Sequence, residues 1–336
     1  MANKKMRAAV VDRASAPFRL TELTRPAPAA TQVLIRIKAS AINPLDGKIH
    51  AGQAPHARQP LPAVLGLDLA GIVEDLGEGV TDFRRGDEVY ALATGVAGLQ
   101  GSLAEYAAVD ADLVALKPVN LTMREAAAVP LAFITAWEGL VDRAKVSAGQ
   151  TVLVHGGAGG VGHMAVQIAR AFGAKVFATG SAADTLFIEC FGATAIDYRS
   201  ARVEEYVARF TAGRGFDVVY DTVGGAAIDA SFNAVRRFGH VVSCLGWGTH
   251  PLAPLSFKAA TYSGVFTLLP MLTGEGKAHH GEILRSASAL IEAGKVVPRI
   301  DPRRFTLDDV AAAFKALASG STGKVVVDVD VSSSQA

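Results

Sequence analysis

Residues Thr151–Phe172 carry a buried strand, a glycine-rich turn and an amphipathic helix in succession, and this order constrains the fold more than any other feature. The apolar run Val152–Val154 is typical of a strand covered on both faces. Gly157, Gly159 and Gly162 then fit the pattern G-x-G-x-x-G. Apolar residues after the turn recur at helical spacing, which predicts a helix up to the end of the stretch.

Each glycine of this turn has a distinct role in a dinucleotide site. The first permits the tight turn, the second lets the backbone approach a pyrophosphate, and the third lets the helix pack closely on the strand. The N–H groups at the helix start, at Gly160 and Val161, offer the positive end of the helix dipole to an anion. A second apolar strand, Lys175–Thr179, follows as a βαβ unit requires. The sequence has no P-loop pattern, so the turn predicts dinucleotide binding.

Composition narrows the class of protein. A length of 336 residues favours about two domains, and 50% hydrophobic residues indicate an ample core. A formal net charge of +1 gives no electrostatic reason to expect nucleic acid or an anionic membrane as a partner. No apolar run approaches the ~18 residues of a membrane span. Cys190 and Cys244 are predicted to be reduced core thiols, which favours a cytoplasmic location.

Two secondary-structure patterns divide the chain. Before about residue 122, short strand-like runs between glycine turns predict a small, partly open β-barrel. These runs cover residues 8–11, 32–39, 65–76, 88–91, 102–109 and 114–116. Beyond it, strands alternate with helices, which predicts a six-stranded parallel, doubly wound Rossmann sheet. Its strands are predicted at residues 152–155, 175–179, 195–197, 217–220, 241–245 and 264–268.

The chain end returns to the first pattern. Helices are predicted at residues 281–293 and 307–318, the second opened by the capping-box-like sequence Thr306–Asp309. Another capping box, Thr122–Glu125, opens an alanine-rich helix. A last strand at 324–329 is predicted to rejoin the barrel. The predicted division is a discontinuous domain of residues 1–122 and 274–336 around a dinucleotide-binding domain of residues 123–273.

A series of short motifs, taken in chain order, resembles the medium-chain dehydrogenase/reductase superfamily. The motifs are Ala41–Asp46, Gly66–Gly71, Gly86–Val89, Ala104–Tyr106, Thr135–Trp137, Gly156–Gly162, Gly192-Ala193 and Asp217–Gly225. They are most similar to the zinc-free quinone oxidoreductase branch, which includes the zeta-crystallin-like proteins. The resemblance implies a GroES-like catalytic domain split around a Rossmann domain, with NADP(H) in the cleft between them.

The resemblance also bears on metal binding. Zinc-dependent members have a cysteine ligand in the turn that corresponds to Ile42–Asp46, and a His-Glu pair where this chain has Leu67-Asp68. A catalytic zinc needs three protein ligands, and these positions offer only Asp68. His50 and His56 are interpreted as solvated loop residues. We therefore expect no metal.

The end of the second strand indicates which nicotinamide cofactor binds. Rossmann domains that prefer NAD have an acidic residue there, and this chain has Gly180 followed by Ser181, which can donate a hydrogen bond to a 2′-phosphate. Asp184 stands where relatives often place a lysine. Tyr198 matches a family tyrosine, and Arg199 is either the missing cation or a plain surface residue. We expect NADPH to be preferred over NADH.

The resemblance assigns the remaining site residues. It places Asn43 beside the nicotinamide or the substrate, although an Asn-Pro turn explains this residue equally well, and it includes Thr135 among the cofactor contacts. Lys48 stands where relatives often have tyrosine and is a candidate proton donor or anion clamp. Residues at the carboxyl ends of two later strands are expected to line the nicotinamide half of the site. They are Val223, Leu245, Gly246 and Trp247.

Chemistry selects the reaction class. Without a metal, carbonyl reduction lacks its Lewis acid, whereas a quinone or an α,β-unsaturated ketone delocalises the incoming charge. The prediction is an NADPH-dependent quinone or enone reductase. The sequence identifies no general acid, and none is required if water protonates the product. The alternatives are a zinc-free enoyl-thioester reductase and an NADPH-binding protein with a structural or RNA-binding role.

The sixth predicted strand bears on the oligomeric state of the protein. It lies around Gly264–Leu269, is apolar and uncharged, and is predicted at an edge of the sheet. An exposed edge of this kind invites pairing unless something covers it. We expect a homodimer whose interface includes Val265–Leu269, the alternative being a loop of the same chain over the edge.

Overall fold

A computed structural model describes residues 4–330, which form two compact units. The first unit comprises residues 4–131, Leu268–Glu292 and residues 298–330; the second comprises Ala132–Thr267 and Ala293–Val297. Each unit is therefore built from more than one segment of the chain. The predicted domain bounds at residues 122 and 274 stay a prediction.

The secondary-structure elements are numbered along the chain. The strands are β1 (Lys5–Val11), β2 (Arg19–Thr24), β3 (Gln32–Ile42), β4 (Ala63–Val64), β5 (Asp68–Leu76), β6 (Glu88–Leu92), β7 (Tyr106–Asp110), β8 (Val114–Leu116), β9 (Thr151–His155), β10 (Lys175–Gly180), β11 (Thr194–Asp197), β12 (Phe216–Asp221), β13 (Val235–Ser243), β14 (Thr261–Gly264), β15 (Phe305–Thr306) and β16 (Val325–Asp328). The α-helices are α1 (Pro44–His50), α2 (Met123–Ala127), α3 (Pro130–Trp137), α4 (Gly160–Ala171), α5 (Thr185–Cys190), α6 (Val203–Thr211), α7 (Ala226–Ala234), α8 (Ala253–Lys258), α9 (Leu269–Thr273), α10 (Lys277–Glu292) and α11 (Val310–Ala318).

The first unit is a GroES-like fold built around β3. This strand pairs antiparallel with β5, β7 and β16 within a mixed seven-stranded sheet, and β1 joins β2 and β4 in a second sheet. Val33, Ile35 and Ile37 on β3 are fully buried, whereas Arg36 and Lys38 between and beside them are partly exposed. Beyond Lys38 the strand is buried on both faces. The last strand, β16, pairs with the end of β3, so its predicted return to this sheet is confirmed.

The second unit is a Rossmann fold. Its six strands run parallel in the order β11-β10-β9-β12-β13-β14, and the predicted six-stranded doubly wound sheet is confirmed. The apolar strand residues Leu153, Phe177 and Val219 are buried in its core. Parallel strands place their carboxyl ends at one edge of the sheet, and ligands of open α/β sheets bind at that edge.

Both predicted capping boxes form. The N–H of Thr122 donates to Glu125 Oε2 at 2.9 Å, and the N–H of Glu125 donates to Thr122 Oγ1 at 3.3 Å. At Thr306, the N–H and the hydroxyl both donate to Asp309 Oδ2, at 3.0 and 2.7 Å. Local sequence alone fixed these two helix starts, because each box satisfies N–H groups that no preceding turn can reach.

The predicted position of the sixth strand is wrong. The edge strand is Thr261–Gly264, and the apolar run after it leaves the sheet, so that Val265 and Leu268 are buried inside the chain. An apolar, β-branched run indicates burial, but it does not by itself distinguish a strand from a buried connection. The edge strand is therefore Thr261–Gly264 rather than Val265–Leu269, and the homodimer stays a prediction.

Three smaller expectations also need correction. Cys190 is exposed rather than in the core, and Cys244 is half-buried. The stretch Ile42–Asp46 is the end of β3 and the start of α1 rather than a free turn. Strand β2 was not predicted, because it lies at a sheet edge and most of its side chains face solvent.

Within residues 4–330, no helix has both the length and the apolar character to cross a membrane.

Candidate functional site

The glycine turn lies where β9 passes into α4. Gly156 adopts a φ of +78°, which favours glycine, and the N–H of Gly157 donates to Thr179 O at 2.8 Å. The N–H of Gly159 donates back to Gly156 O at 2.9 Å, which closes the turn. Helix α4 then begins at Gly160, and its first N–H groups have no partner within the helix.

The glycines of the turn are needed for different reasons. A Cβ on Gly162 would lie 2.0 Å from Gly156 O, and a Cβ on Gly157 would lie 2.5 Å from Ala178 Cβ, so packing excludes side chains at both. A Cβ on Gly159 would meet only Gly156 O at 3.2 Å, and one on Gly160 would meet nothing within 4 Å. The outer face of the turn is therefore bare at two positions: at Gly160 the protein leaves open space for a side chain, and at Gly159 a Cβ would make one tight contact with a backbone oxygen. A bare face suits close approach of a ligand.

His155, the last residue of β9, supports the turn and was not identified from the sequence. Its Nδ1 lies 3.2 Å from Thr179 Oγ1, and that oxygen accepts from the N–H of Gly156 at 3.1 Å. Burial lowers the pKa of His155 to about 4, so the ring is neutral at physiological pH. The Thr179 hydroxyl can therefore donate to Nδ1 while it accepts from the turn, which joins the ends of two neighbouring strands.

The residues discussed for a 2′-phosphate lie at or just after the ends of β10 and β11. Gly180 closes β10, and Ser181 donates from its N–H and its hydroxyl to Asp184 Oδ2, at 2.9 and 2.6 Å. The N–H of Tyr198 donates to Gly180 O at 3.2 Å, which ties the loop after β11 to this point. The guanidinium of Arg199 lies over the Tyr198 ring, 5.6 Å from its centroid.

Asp221 organises the loops after β12 and β13. Its buried carboxylate accepts from the Ser243 hydroxyl at 2.7 Å and from the N–H groups of Val223 and Gly224, each at 3.0 Å. The Ser243 oxygen in turn accepts from the N–H of Leu245 at 3.0 Å. Sequence reasoning missed this role; the signal for it is an aspartate at a strand end, three residues before a Gly-Gly pair.

Val223 and Trp247 present apolar surface at the same edge of the sheet. Their residues are 54% and 57% exposed, and the Trp247 ring meets Phe266 edge to face at 5.8 Å. Gly246 has no room for a side chain, because its Cβ would lie 2.2 Å from Tyr262 Oη. Exposed apolar groups beside a parallel sheet's carboxyl edge suit an aromatic ligand ring.

Thr135 is buried and held from two directions. Tyr220 Oη donates to Thr135 O at 2.6 Å, and Thr135 Oγ1 lies 2.9 Å from Thr267 Oγ1. The Thr267 hydroxyl also donates to Glu138 Oε2 at 3.0 Å, so the two threonines and Glu138 form one chain of polar contacts. Residues Glu138–Arg143 continue α3 as a π-helical turn, a feature that is frequent at functional sites.

The first unit holds a buried cluster of charged residues around Asn43. Asn43 Nδ2 donates to Asp68 Oδ2 at 3.0 Å, and Lys324 Nζ donates to Asn43 Oδ1 and lies 3.2 Å from Asp68 Oδ2. Asp68 Oδ1 also accepts from the N–H of Leu131 at 2.9 Å. Both ends of the Asn43 side chain are thus engaged within the protein.

Asp46 completes this cluster, whereas Lys48 lies outside it. Asp46 accepts from the N–H groups of Asn43 and Gly66, at 2.8 and 3.0 Å. Burial raises the pKa of Asp46 to about 7, although the bond from Asn43 acts in the opposite direction. Burial likewise raises the pKa of Asp68 against the attraction of Lys324. Lys48 is exposed on α1.

The described residues offer no cluster for a metal. Across positions 4–330, no three His, Cys, Asp or Glu side chains are grouped so that they could hold an ion. Asp68, the single acid at the zinc-ligand positions discussed above, is engaged with Asn43, Lys324 and Leu131. Burial also raises the pKa of the Cys244 thiol to about 12, so that thiol stays protonated.

Comparison with known proteins gives matches over nearly the whole chain. A family model described as alcohol dehydrogenase GroES-like domain matches residues 29–119, and one described as zinc-binding dehydrogenase matches residues 191–327. The chain is 41% identical over 305 residues to the 2-methylene-furan-3-one reductase of Solanum lycopersicum, covering 88% of this chain and 71% of the relative.

Other relatives and a solved structure agree with these matches. The chain is 39% identical to the chloroplastic NADPH-dependent alkenal/one oxidoreductase of Arabidopsis thaliana, covering 88% of this chain and 72% of the relative. It is 31% identical to the quinone oxidoreductase of Sus scrofa, covering 91% and 92%. The crystal structure of an alcohol dehydrogenase superfamily protein from Novosphingobium aromaticivorans superposes with a TM-score of 0.96 at 59% identity, covering 97% of this chain and all of that one.

Proposed function

Because the chain belongs to the medium-chain dehydrogenase/reductase superfamily, in its zinc-free quinone oxidoreductase branch, we propose that it is an NADPH-dependent reductase of quinones or α,β-unsaturated carbonyl compounds. The observation that carries the proposal is the bare outer face of the glycine turn. Gly160 lacks a side chain that its surroundings would admit, and Gly159 beside it is also bare, at the start of a helix whose first N–H groups are unpaired within it. A pyrophosphate fits that requirement.

The chain's own residues have separable roles in this proposal. NADPH, when bound, supplies the hydride. The turn from Gly157 to Gly162 would hold the pyrophosphate, and Asp221 would position the loops of Val223 and Leu245 against the nicotinamide half. Trp247 would stack on a flat acceptor. A residue set of this kind binds, orients and excludes water, and it suits an acceptor that delocalises negative charge.

Asn43 and Lys48 have different standings in the proposal. We propose that Asn43 acts on the site by holding its neighbours in place rather than by contacting the ligand with its amide, because Asp68 and Lys324 already engage the two ends of that amide. Lys48 is exposed and stays a candidate anion clamp. Thr135 stays a proposed cofactor contact.

Turnover with a panel of acceptors tests the proposal. NADPH oxidation is measured with a benzoquinone, an alkenal, a cyclic enone and an enoyl thioester, each without added metal. We expect consumption with the quinone or the two carbonyl compounds and little with the thioester. Turnover confined to the thioester would favour an enoyl-thioester reductase, and tight NADPH binding without any turnover would favour a structural role.

Assembly and location are part of the same proposal. We propose a cytoplasmic homodimer in which a second copy pairs with β14, whose outer edge has no strand neighbour in the described sheet. Thr261 and Tyr262 are exposed on this strand. Sedimentation at micromolar concentration is expected to give a dimer, and Thr261→Lys, which places a charge on the edge, is expected to give monomers. A monomeric parent protein would contradict the proposal.

A further inference from the structure

The end of β10 has a carboxylate although its last residue has no side chain. In Rossmann domains that prefer NAD, an acidic residue at this point accepts a hydrogen bond from the ribose 2′-OH. Gly180 cannot do so. Asp184 reaches the same place from the short helical turn after the strand: its Oδ2 lies 3.4 Å from the position that a Cβ on Gly180 would occupy.

Ser181 holds this carboxylate in place. Both the N–H and the hydroxyl of Ser181 donate to Asp184 Oδ2, at 2.9 and 2.6 Å. These are the same two donors that a 2′-phosphate would need at the end of β10. A phosphate that arrives there meets a negative charge and finds its donors already engaged, whereas a 2′-OH can donate to the carboxylate.

Arg199 has the opposite effect on a 2′-phosphate. Its Nε donates to Tyr198 Oη at 3.3 Å, and the N–H of Tyr198 donates to Gly180 O, so the loop that carries Arg199 is attached beside the strand end. The hydrogen bond to Tyr198 raises the pKa of Arg199, and the charges of Asp197 and Asp184 add smaller contributions. Arg199 and Asp184 therefore act on the same region with opposite charge.

We propose that Asp184 determines dinucleotide specificity by weakening NADPH binding relative to NADH, so that the preference of this chain is a balance between Asp184 and Arg199. The inference rests on the proposed function, since it requires a nicotinamide dinucleotide at the glycine turn. The proposed effect comes from the negative charge of Asp184 and not from the hydrogen bonds by which Asp184 caps the helical turn. A substitution that keeps the cap and removes the charge separates the two effects.

The test is Asp184→Asn in the full chain, with dissociation constants for NADPH and NADH measured by titration calorimetry. Asparagine keeps an oxygen that can accept from Ser181, so the cap is retained while the charge is lost. Removing one negative charge beside a phosphate is expected to tighten NADPH binding about fivefold or more. NADH binding is expected to stay unchanged or to weaken, because the amide oxygen that accepts from Ser181 leaves an NH2 group rather than an acceptor for the ribose 2′-OH. Added salt should reduce the NADPH effect.

Two further variants make the test specific. Asp309→Asn removes a carboxylate from the capping box at Thr306, whose two bonds have nearly the same lengths as those at Ser181, and it should change neither dissociation constant. Arg199→Gln should weaken NADPH about fivefold or more and leave NADH nearly unchanged. Adenosine 2′,5′-bisphosphate and 5′-AMP serve as competing probes. In each variant, the affinity for adenosine 2′,5′-bisphosphate should change as the affinity for NADPH does, and the affinity for 5′-AMP as the affinity for NADH does.

The outcomes separate this inference from the proposed function. If the parent protein binds both dinucleotides and Asp184→Asn changes their affinities equally, or weakens NADPH, the inference is wrong and the proposed function stands. If the parent protein binds neither dinucleotide, both are wrong. A selective gain for NADPH that Asp309→Asn does not reproduce supports the assignment.

Discussion

Replacement of Lys324 by methionine is expected to lower the free energy of unfolding by about 3–5 kcal/mol near pH 8. The Lys324 side chain is 8% exposed and that of Asp68 is fully buried, so water cannot replace the lost ammonium. Methionine fills a similar volume, but it leaves Asp68 and Asn43 without the cation that faces both. Breaking a buried ion pair from one side costs more than the pair contributes, because the remaining charge stays desolvated.

The size of this loss should depend on pH. Without the lysine, the pKa of Asp68, which burial already raises, rises further above its unfolded value of about 3.9. A carboxyl whose pKa is raised by folding contributes stability that is fully present below the unfolded pKa and is lost as pH rises through the folded pKa. The deficit of Lys324→Met against the parent protein should therefore be smaller near pH 5 than near pH 8. Urea unfolding at both pH values measures it.

Lys117→Met provides a matched control for Lys324→Met. The Lys117 side chain is 6% exposed, but its carboxylate partner Glu88 is 54% exposed at 3.1 Å, so water can solvate Glu88 when the lysine is lost. We expect a loss of about 1–2 kcal/mol, from hydrogen bonds to carbonyl groups, with little change between the two pH values. Equal losses in the two variants, or a pH-independent loss for Lys324→Met, would contradict the prediction.

Gly162→Ala is expected to destabilise the second unit by about 3 kcal/mol, whereas Gly159→Ala should cost about 1 kcal/mol. The new Cβ at position 162 would lie 2.0 Å from Gly156 O and 2.8 Å from Gly156 C, and both are backbone atoms that cannot rotate away. The new Cβ at position 159 meets only Gly156 O, at 3.2 Å, and the backbone there is extended, which alanine adopts freely. Thermal unfolding of the two variants measures the difference.

The substitution that costs less stability, Gly159→Ala, is expected to have the larger direct effect on cofactor binding. Gly159→Ala adds a methyl group to the bare face of the turn, and the dissociation constant for NADPH is expected to rise about tenfold or more, which is about 1.4 kcal/mol per tenfold. A folded Gly159→Ala protein with unchanged NADPH affinity would remove the main support for the proposed function. The stability of this variant is the control that shows whether the loss is local.

The comparison of Gly159 with Gly162 also shows which features of the glycine turn could be predicted from the sequence and which could not. The pattern G-x-G-x-x-G predicted the turn, the helix after it and the dinucleotide site, because these depend on backbone freedom and periodicity within a short stretch. The two capping boxes were predicted for the same reason. Which glycine is required by packing and which leaves a surface bare depends on distances that only the folded turn defines.

The charged cluster around Asn43 could not be predicted from the sequence. Asn43 and Lys324 are 281 positions apart, and nothing in either local sequence indicates that the two side chains meet. They meet because β16 pairs with the end of β3, where Val325 lies opposite Ile42. A resemblance could name Asn43 as a site residue, but only tertiary pairing decided that its amide is engaged by a lysine and an aspartate.

The sequence by itself determined the two fold types, the six parallel strands and the glycine turn, since each depends on local periodicity and on which residues tolerate tight turns. Tertiary structure decided where the edge strand ends, because Val265 and Leu268, which follow it, are buried outside the sheet as well as a strand would bury them. It also decided the roles of Asp184, Asp221 and Lys324. Charge and hydrogen-bonding capacity are visible in a sequence, whereas the partner that neutralises each group depends on which chain segments pack together.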